Sequence, residues 1–405
     1  MEIKVVTEDY RTCIEELEQN GFVKYVDNGE NGLNGNVFTT TLTRNNLSVT
    51  VIHQVKTRLT YIVSETVEAL SERLLYSDEY VAENVAGART TLHMRETYRP
   101  CSSYVLQLKN QHFVMCDGGY LEEASDLIAY LESLVPEGTK PVVEGWFITH
   151  PHHDHMEMFR TIADDPTLAE RIYVEGIYMD MYDEAFAEKM NITSMFDAMR
   201  DATAALKTVN GENTKIYRPH AGQRYYFSDI TVDGLQTMVQ VPRDKWTGWR
   251  KNLNEMSAWY MFNIEGQKYL NAGDADLGAM REIMSTYDRE NLDIDIMVVQ
   301  HHGINVHKEF TDFIKVKTLL YPYWGIDGVF AEGQDWPGSW QASVYRNEYL
   351  HSKVEESLSF GDGTKILTFP YEVGTADSLP LREDQFEFTG EEKERRINYE
   401  RGGVR

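Results

Sequence analysis

The sequence predicts an α/β protein of layered architecture, preceded by a small α+β segment. Beyond about residue 97, short apolar runs rich in β-branched and aromatic residues alternate with amphipathic helical stretches. This alternation is typical of helices packed on sheets. The first 70 residues differ, because one helical stretch is followed there by several strand-like runs with turn signals between them. The 405 residues leave room for two domains.

The N-terminal segment, residues 1–70, is predicted to be one helix packed on an antiparallel sheet. Apolar residues recur at helical spacing from Asp9 onward, and Gly21 is a typical helix end. Asn-Gly and Asn-Asn pairs then separate four strand-like runs. These predicted strands are 22–25, 36–42, 47–52 and 59–63.

Residues 71–96 are polar and are predicted to be a linker with helical character, and the main domain is predicted to span 97–375. Residues 376–405 are predicted to form a charged C-terminal tail. Within the main domain, the predicted strands are 103–108, 113–117, 142–148, 173–178, 258–264, 268–271, 318–323, 353–360 and 364–368, with further short strands in 215–242. The predicted helices are 122–135, 156–163, 184–209 and 279–287.

Composition predicts a folded protein outside the membrane. Hydrophobic residues make up 42% and aromatic residues 12% of the chain, which is enough for a substantial core. No run approaches the roughly 18 apolar residues of a membrane helix. The N-terminus lacks the basic start and apolar stretch of a signal peptide. A cytoplasmic location is therefore expected, whereas the sequence makes no prediction about the oligomeric state.

Net charge decides which partners are expected. Acidic residues outnumber basic ones by 65 to 39, which gives a formal net charge of −26. A nucleic-acid-binding face needs clustered Lys and Arg to replace the counterions of the phosphates, and no basic stripe is visible ahead of the tail. A small-molecule substrate is therefore predicted in preference to nucleic acid.

A cluster of metal-binding residue types follows one of the predicted strands. The apolar run 142–148 leads into the segment 149–155, whose sequence is Thr-His-Pro-His-His-Asp-His. Pro151 cannot continue a central strand, so the histidines and the aspartate are predicted to lie on the turn beyond it. Imidazole together with carboxylate is typical of catalytic zinc sites. The alternative is a surface histidine cluster without a metal, but this spacing at a strand end favours metal binding.

Three further short motifs follow strand-like runs, 113–116, 268–271 and 296–299, in the same way. They are Asp117-Gly118-Gly119, Gly273-Asp274 and His301-His302-Gly303. Taken with the segment 149–155 and in this order, the motifs resemble those of the metallo-β-lactamase superfamily. The stretch Asn254-Glu255-Met256-Ser257 is similar to a motif of one branch, which includes the nuclease-like domain of bacterial DNA-uptake proteins.

The resemblance covers about residues 97–375 and implies an αββα metallo-β-lactamase-like sandwich for that domain. It also implies a dinuclear or mononuclear metal centre. Zn²⁺ is the expected cofactor, as one or two ions, with Mn²⁺ and Fe²⁺ as alternatives.

The resemblance also assigns the metal ligands. They are His150 and His152 for the first metal, Asp154 and His155 for the second, and Asp274 as the bridge between the two. The last ligand is His301 or His302. We prefer His302, because the adjacent Gly303 leaves room for close backbone approach.

Other residues of the motifs are expected to have supporting roles. Asp154 is the predicted catalytic residue, because a carboxylate at this place can orient the hydroxide or pass on a proton. His153 occupies a variable position, and we expect it to contact a ligand or face solvent rather than bind metal. Asp117 is predicted either to orient the ligands or to form a simple strand-end turn.

One histidine that many superfamily members have ahead of the Gly-Asp motif is missing here. The corresponding stretch, 239–242, reads Val-Gln-Val-Pro, and His220 is the only histidine between 155 and 301. His220 precedes a predicted strand and is expected to be structural, with metal binding as the alternative. The first metal site is therefore expected to be the weaker one.

Three functions follow as hypotheses. The first is a metal-dependent hydrolase that uses a metal-activated hydroxide on a small-molecule ester, lactone, amide or phosphodiester. The second is a nuclease or phosphodiesterase acting on nucleic acid, which requires a basic groove beside the segment 149–155. The third is a non-enzymatic metal-binding regulatory protein. The complete ligand set favours an enzyme, because drift in an inactive protein would be expected to remove at least one ligand.

Overall fold

The computed structural model of the chain describes residues 2–6, 9–29, 35–76, 84–97, 101–180, 193–211, 214–240, 253–322, 349–360 and 363–380. Within these residues the chain forms three β-sheets and seven α-helices. In that same part of the chain, no helix has both the length and the apolar character needed to cross a lipid bilayer.

Strands and helices are numbered in chain order. The strands are β1 (Glu2–Val6), β2 (Val23–Gly29), β3 (Val37–Arg44), β4 (Leu47–Gln54), β5 (Leu59–Thr66), β6 (Thr91–Met94), β7 (Tyr104–Gln107), β8 (Phe113–Cys116), β9 (Val142–Ile148), β10 (Tyr173–Val174), β11 (Gly176–Met179), β12 (Lys215–Tyr217), β13 (Arg224–Phe227), β14 (Ile230–Gln236), β15 (Trp259–Ile264), β16 (Gln267–Asn271), β17 (Asp293–Val298), β18 (Lys315–Tyr321), β19 (Glu356–Ser359), β20 (Lys365–Thr368) and β21 (Asp377–Ser378). The helices are α1 (Tyr10–Gln19), α2 (Ala124–Ser133), α3 (His153–Asp164), α4 (Pro166–Ala169), α5 (Thr193–Val209), α6 (Leu277–Thr286) and α7 (Lys308–Phe313).

The first five strands form sheet 1, which is antiparallel throughout and has the order β1-β5-β4-β3-β2. Asp9 is the N-cap residue of helix α1, and its carboxylate accepts a hydrogen bond from the Thr12 N–H. Its residues Tyr10, Cys13 and Ile14 are buried against the sheet. The predicted helix and four strands are confirmed, and β1 is an additional strand that the sequence pattern does not reveal.

Sheets 2 and 3 are both mixed sheets. Sheet 2 has the order β12-β11-β9-β8-β7-β6-β20-β21, with the short β10 beside β9. Its strands β8, β9, β11 and β12 are parallel, and pairing is antiparallel from β8 to β21. Sheet 3 runs in sequence order from β13 to β19, antiparallel as far as β16 and parallel beyond it. Each sheet therefore joins an antiparallel part to a parallel part.

The two mixed sheets pack face to face around an aromatic core. Phe147 of β9 stacks on Tyr178 of β11 with 4.5 Å between ring centroids. It meets Tyr260 and Phe262 of sheet 3 edge-on, at 5.0 and 5.7 Å. Helices α2, α3 and α5 cover the outer face of sheet 2, and α6 and α7 cover that of sheet 3. The predicted αββα sandwich is confirmed.

Sheet 1 packs on the outside of this sandwich. Its Val37, Ile52 and Tyr61 belong to the same hydrophobic cluster as Leu235 and Met261 of sheet 3. Helix α1 shares a second cluster with sheet 1. The N-terminal segment therefore adds layers beside sheet 3, in contact with the larger core. The domain limits at 70, 96 and 375 stay predictions.

Some elements differ from the sequence prediction. Within the predicted linker 71–96, β6 pairs with β7 and β20 inside sheet 2. With only four residues, β6 is too short for its pattern to stand out in the sequence. The predicted strand 173–178 is divided into β10 and β11 at Glu175. From the predicted tail, β21 pairs with β20, and the rest of the tail, 381–405, lies outside the described residues, as do 184–192 of a predicted helix.

Candidate metal centre

The candidate site lies where strands of both sheets end side by side. β8 leads into Asp117, β9 into His150, β16 into Asp274, and β17 into His301 and His302. β8 and β9 are parallel neighbours in sheet 2, as are β16 and β17 in sheet 3. Carboxyl ends of parallel strands are common places for ligand sites. The fold thus brings four separate sequence motifs to one edge of the sandwich.

Helix α3 begins earlier than the sequence predicts, within the histidine motif itself. His152 is its extended N-cap residue, and the N–H groups of His155 and Met156 donate to the His152 carbonyl at 3.1 and 3.0 Å. The expectation that the motif lies on a turn, with a helix from 156, is therefore corrected. An acidic residue such as Asp154 is favourable in the first turn, because a helix N-terminus carries partial positive charge.

Asp117 holds His155 in one orientation. The Asp117 carboxylate accepts hydrogen bonds from His155 Nδ1 at 2.8 Å and from the Thr149 N–H at 2.8 Å. The Thr149 hydroxyl donates to the same carboxylate at 2.9 Å. Because Nδ1 donates its proton to Asp117, Nε2 is the nitrogen left to bind a metal once it has lost its own proton.

The two carboxylate oxygens of Asp274 face different groups of metal-donor atoms, the histidine nitrogens and carboxylate oxygens that could bind a metal ion. Oδ1 lies 3.0 Å from His155 Nε2 and 3.7 Å from His302 Nε2. His302 Nε2 is also 2.9 Å from Asp154 Oδ2. Asp154, His155, Asp274 and His302 form a compact group in which the candidate ligand atoms all lie within 4.8 Å of one another.

On the other side, Asp274 Oδ2 lies 3.7 Å from His150 Nε2 and 3.4 Å from His301 Nε2. His150 Nε2 is 3.0 Å from His152 Nδ1. His150, His152 and Asp274 form a second compact group by the same 4.8 Å measure. Among the described residues, Asp274 is the residue that both groups share, which is the arrangement a bridging ligand needs.

The spacing of these atoms fits a metal ion. Ligand atoms at about 2.0–2.1 Å from a tetrahedral zinc stand about 3.3 Å apart, and the Asp274 oxygens lie 3.0 to 3.7 Å from the surrounding histidine nitrogens. Within the described part of the chain, His155 Nε2 and Asp274 Oδ1 are buried and face each other at 3.0 Å, without an aligned hydrogen bond to any other group. A cation bound between them would give each the partner that buried polar atoms normally have.

The histidines of the site differ in charge. Burial lowers the pKa of His150 and of His152, and the neighbouring His155 acts in the same direction. Burial also tends to lower the pKa of His155, but Asp274 and Asp117 outweigh it and raise this pKa well above its usual range. In the metal-free protein, His155 is therefore protonated at neutral pH, whereas His150 and His152 are neutral.

The pKa values of the two site carboxylates, Asp154 and Asp274, are lowered. Burial tends to raise the pKa of Asp274, but His155 and other histidines outweigh it and hold this pKa well below its usual range. The pKa of Asp154 is lowered for the same reason, by His155 and by the hydrogen bond from His302. Burial tends to lower the pKa of His302, but Asp274 and Asp154 raise it above the usual value. Both carboxylates are therefore anionic at neutral pH.

The loop that carries His301 and His302 has an unusual backbone. Both residues have positive φ, 49° and 52°, a left-handed conformation that costs a non-glycine residue about 1–2 kcal/mol. The His301 N–H donates to the Gly273 carbonyl at 3.2 Å, and the Asn305 side chain donates to the Asp274 carbonyl at 3.0 Å. These bonds tie the two loops together. No local sequence pattern marks Asn305, whose partner lies 31 positions away.

The segment Asn254–Ser257 supports the same loops. Ser257 Oγ accepts a hydrogen bond from the Asp274 N–H at 3.2 Å, and Asn254 Nδ2 lies 3.3 Å from His301 Nδ1. The Glu255 carboxylate accepts from the Ala279 N–H at 2.7 Å, at the start of α6. These contacts position the loops that carry the donor atoms.

Two candidate histidines lie away from Asp274. The His153 side chain is 64% exposed, and its Nδ1 lies 3.3 Å from Glu157 on the next turn of α3. His220 is buried, with Nε2 2.7 Å from the carboxylate of Glu65 in β5. Neither residue belongs to a compact donor group within the described ranges.

Comparison with known proteins gives likenesses in structure alone. No protein-family profile and no curated protein sequence matches this chain. Among solved structures, the metallo-beta-lactamase fold protein YhfI from Bacillus subtilis is 10% identical, with 69% of this chain and 99% of that chain covered at a TM-score of 0.40. CmlA, a diiron beta-hydroxylase from Streptomyces venezuelae, is 11% identical, with 70% and 55% covered at 0.40. Zn²⁺-bound PqqB from Methylobacterium extorquens is 9% identical, with 65% and 86% covered at 0.37.

The class of the protein follows from its own architecture. Two mixed sheets lie face to face, helices cover both outer faces, and two groups of metal-type donors meet at the strand ends. With its motifs in the order of the superfamily, the chain has the metallo-β-lactamase fold.

Proposed function

We propose that this protein is a metal-dependent hydrolase that acts on a small-molecule ester, lactone, amide or phosphodiester. The observation that carries the proposal is the carboxylate of Asp274, whose two oxygens face separate groups of donors. A carboxylate shared in this way is suited to bridge two metal ions. Its near-complete burial, at 2% exposure, keeps it from serving as an ordinary surface charge.

The residues present define the cofactor by their chemistry. The proposed ligands are His150, His152 and Asp274 on one side, and Asp154, His155, Asp274 and His302 on the other. Imidazole with carboxylate suits Zn²⁺, and Mn²⁺ and Fe²⁺ are the alternatives. When bound, such an ion supplies hydroxide at neutral pH by lowering the pKa of a coordinated water.

Asp154 is the residue to which we assign proton handling. Its carboxylate is 19% exposed and is thus the more open of the two site carboxylates. Because its pKa is lowered by His155 and His302, Asp154 is anionic and accepts hydrogen bonds at neutral pH. A carboxylate so placed can orient an attacking water molecule and hold its proton at Oδ2.

The substrate approaches from the side of Asp154 and His301 in this proposal. The side chains of His150 and His155 are 0% exposed, whereas that of His301 is 25% exposed. Solvent therefore meets the donor groups along one edge. A substrate that enters there places its scissile bond next to Asp154.

The net charge of −26 supports a small substrate. Non-specific binding of nucleic acids depends mainly on electrostatic attraction to basic residues. A protein with this net negative charge repels a polyanion at long range. Nuclease activity and a purely regulatory role are the outcomes that would displace the proposal.

The proposal is tested by metal analysis and a substrate panel. Purified protein is stripped with chelator, reloaded with Zn²⁺, Mn²⁺ or Fe²⁺, and assayed on chromogenic esters, lactones, anilides and bis-aryl phosphates, and on single- and double-stranded DNA. We expect metal-dependent turnover of at least one small substrate and none of DNA. Metal binding without any turnover would favour a regulatory protein, and failure to bind metal would refute the proposal.

A further inference from the structure

Among the described residues, the donor group of His150, His152 and Asp274 is one ligand short of a closed site. Structural zinc sites have four protein ligands, and catalytic ones have three with one position open. This group reaches three only by sharing Asp274 with the neighbouring group. The stretch that would hold the missing histidine offers no replacement among its described residues. There, Gln240 uses its side-chain oxygen to accept a hydrogen bond from the Thr237 N–H at 2.8 Å.

His301 lies beside the oxygen of Asp274 that belongs to this group. Its Nε2 is 3.4 Å from Asp274 Oδ2, and His150 Nε2 is 3.7 Å from the same oxygen. His302 Nε2 is instead 3.7 Å from Oδ1. Two consecutive histidines are thus divided between the two oxygens of one carboxylate. The separation of 3.4 Å is close to the roughly 3.3 Å expected between two ligands of one tetrahedral zinc.

The backbone makes this division feasible. In an extended strand, adjacent side chains point to opposite faces, so His301 and His302 could not both turn to Asp274 if β17 simply continued. The left-handed φ angles of 49° and 52° bring both imidazoles to the same carboxylate. Strained non-glycine conformations of this kind cluster at ligand-binding sites.

The neighbour of His301 is suited to orient it. A histidine that binds metal through Nε2 donates its other ring N–H to a nearby acceptor. The Asn254 amide lies 3.3 Å from His301 Nδ1, and a flip of that amide presents oxygen in place of nitrogen. With its oxygen toward His301, Asn254 would accept the Nδ1 proton and leave the Nε2 lone pair facing Asp274.

We infer that His301 is the third imidazole ligand of the first metal, together with His150, His152 and Asp274 Oδ2. The inference rests on the metal centre of the proposed function and assigns one residue of it. His301 is outside the compact group of the other three, so its imidazole must close on them when metal binds. At 25% exposure, the side chain has room to do so.

The consequence is a balance between the two sites. The first has His150, His152, His301 and Asp274 Oδ2, and the second has Asp154, His155, His302 and Asp274 Oδ1. Each then has four protein ligands, so the water that supplies hydroxide would be a fifth ligand, and the weak first site expected from the missing histidine no longer follows.

The inference is tested with His301→Asn in the full chain. Asparagine adopts left-handed backbone more readily than most residues, so the loop is kept while the imidazole is removed. Zinc stoichiometry is measured by elemental analysis, and affinity by calorimetry. We expect two zinc ions in the wild type and one tightly held ion in the variant. The affinity for the other should fall by more than about 100-fold, beyond the 10–100-fold typical of losing a contact that only orients a ligand.

Two further variants locate the lost ion. His152→Asn removes another ligand of the first metal, so adding it to His301→Asn should cause no further loss of stoichiometry. Adding His302→Asn to His301→Asn should remove both ions. His153→Asn is the matched control, because it removes a neighbouring exposed histidine and should leave both ions bound. Circular dichroism and the thermal midpoint show that each variant is folded.

The outcomes separate this inference from the proposed function. Two zinc ions bound with unchanged affinity in His301→Asn would overturn the role of His301 and leave the hydrolase proposal standing. If the wild type binds one ion and His301→Asn does not change its affinity, the role of His301 is likewise overturned and the hydrolase proposal stands. A wild type that binds none would refute both.

Discussion

Asp117 Oδ2 lies 2.8 Å from His155 Nδ1, and both side chains are fully buried. The pair joins the end of β8 to the first turn of α3, and Thr149 completes it with two further hydrogen bonds to the Asp117 carboxylate. Because Asp117 holds the Nδ1 side of the His155 ring, the geometry of the second donor group depends on a residue that does not itself belong to it.

The first prediction therefore concerns Asp117→Asn. The substitution keeps the size of the side chain but removes the negative charge that holds the Nδ1 proton of His155. We expect zinc affinity at the Asp154/His155 site to fall by about 10–100-fold, the usual effect of losing a carboxylate behind a metal-binding histidine. Calorimetric titration of wild type and variant measures it. Unchanged affinity would mean that Asp117 serves only the strand-end turn.

The second prediction concerns protons released on metal binding. The pKa values of His155 and His302 are raised, chiefly by Asp274 against the opposing effect of burial. A raised pKa favours the protonated imidazole in the metal-free protein, and the proton must be lost before the nitrogen can bind zinc. We expect release of about one to two protons at the Asp154/His155 site and an affinity there that rises between pH 6 and 8. Calorimetry in buffers of different ionisation enthalpy counts the protons, and a pH-independent affinity would contradict the assignment.

Much of this site could be predicted from the sequence, for a physical reason. His150, Asp274 and His302 each follow a short apolar run, and a run of that kind marks both a buried strand and the place where it ends. When such strands pack in parallel, their ends meet. Motif order therefore carries three-dimensional information without any knowledge of distances.

Other features depend on tertiary contacts that leave no local signal. The first turn of α3, from His153, depends on the backbone of its N-cap residue His152. In the sequence, Pro151 indicates a turn at this place and not a helix start. The approach of His301 to Asp274 depends on a left-handed backbone, which the residue types do not predict. The packing of sheet 1 on sheet 3 joins residues such as Val37 and Met261, far apart in the chain.

The third prediction is that Asp154→Asn removes turnover while the fold persists. The variant keeps the shape of the side chain but loses an anionic ligand atom and the carboxylate assigned to proton handling. Asp154 is partly exposed and lies at the start of α3, but it also accepts a hydrogen bond from His302. We therefore expect its replacement to lower the free energy of unfolding by about 1–3 kcal/mol.

Activity on the substrate identified in the panel and a chemical denaturation curve are the two measurements. His153→Asn, one position earlier and exposed, is the control that should retain activity. Full activity in Asp154→Asn would place the chemistry elsewhere.

The last prediction concerns the pH dependence of stability and a histidine outside the metal centre. His93 in β6 is 2% exposed, with its ring nitrogens 2.7 Å from Thr91 Oγ1 and 2.6 Å from Tyr130 Oη. Burial lowers the pKa of His93 to about 4. The unfolded chain, with a pKa near 6.5, binds a proton at higher pH than the folded protein does, so acid favours unfolding. The contribution of His93 is therefore complete above about pH 7 and is lost as pH falls from 6.5 toward 4.

By pH 5 this contribution should amount to a loss of about 2 kcal/mol in the free energy of unfolding. Other groups titrate in the same range, so the measurement is a difference. Urea denaturation of metal-free wild type and His93→Gln is compared at pH 7.5 and at pH 5. Glutamine can hydrogen-bond to Thr91 and Tyr130 but does not titrate, so the variant should lose about 2 kcal/mol less than the wild type over this interval. Equal losses in the two proteins would show that His93 is protonated in the folded state as readily as in the unfolded chain.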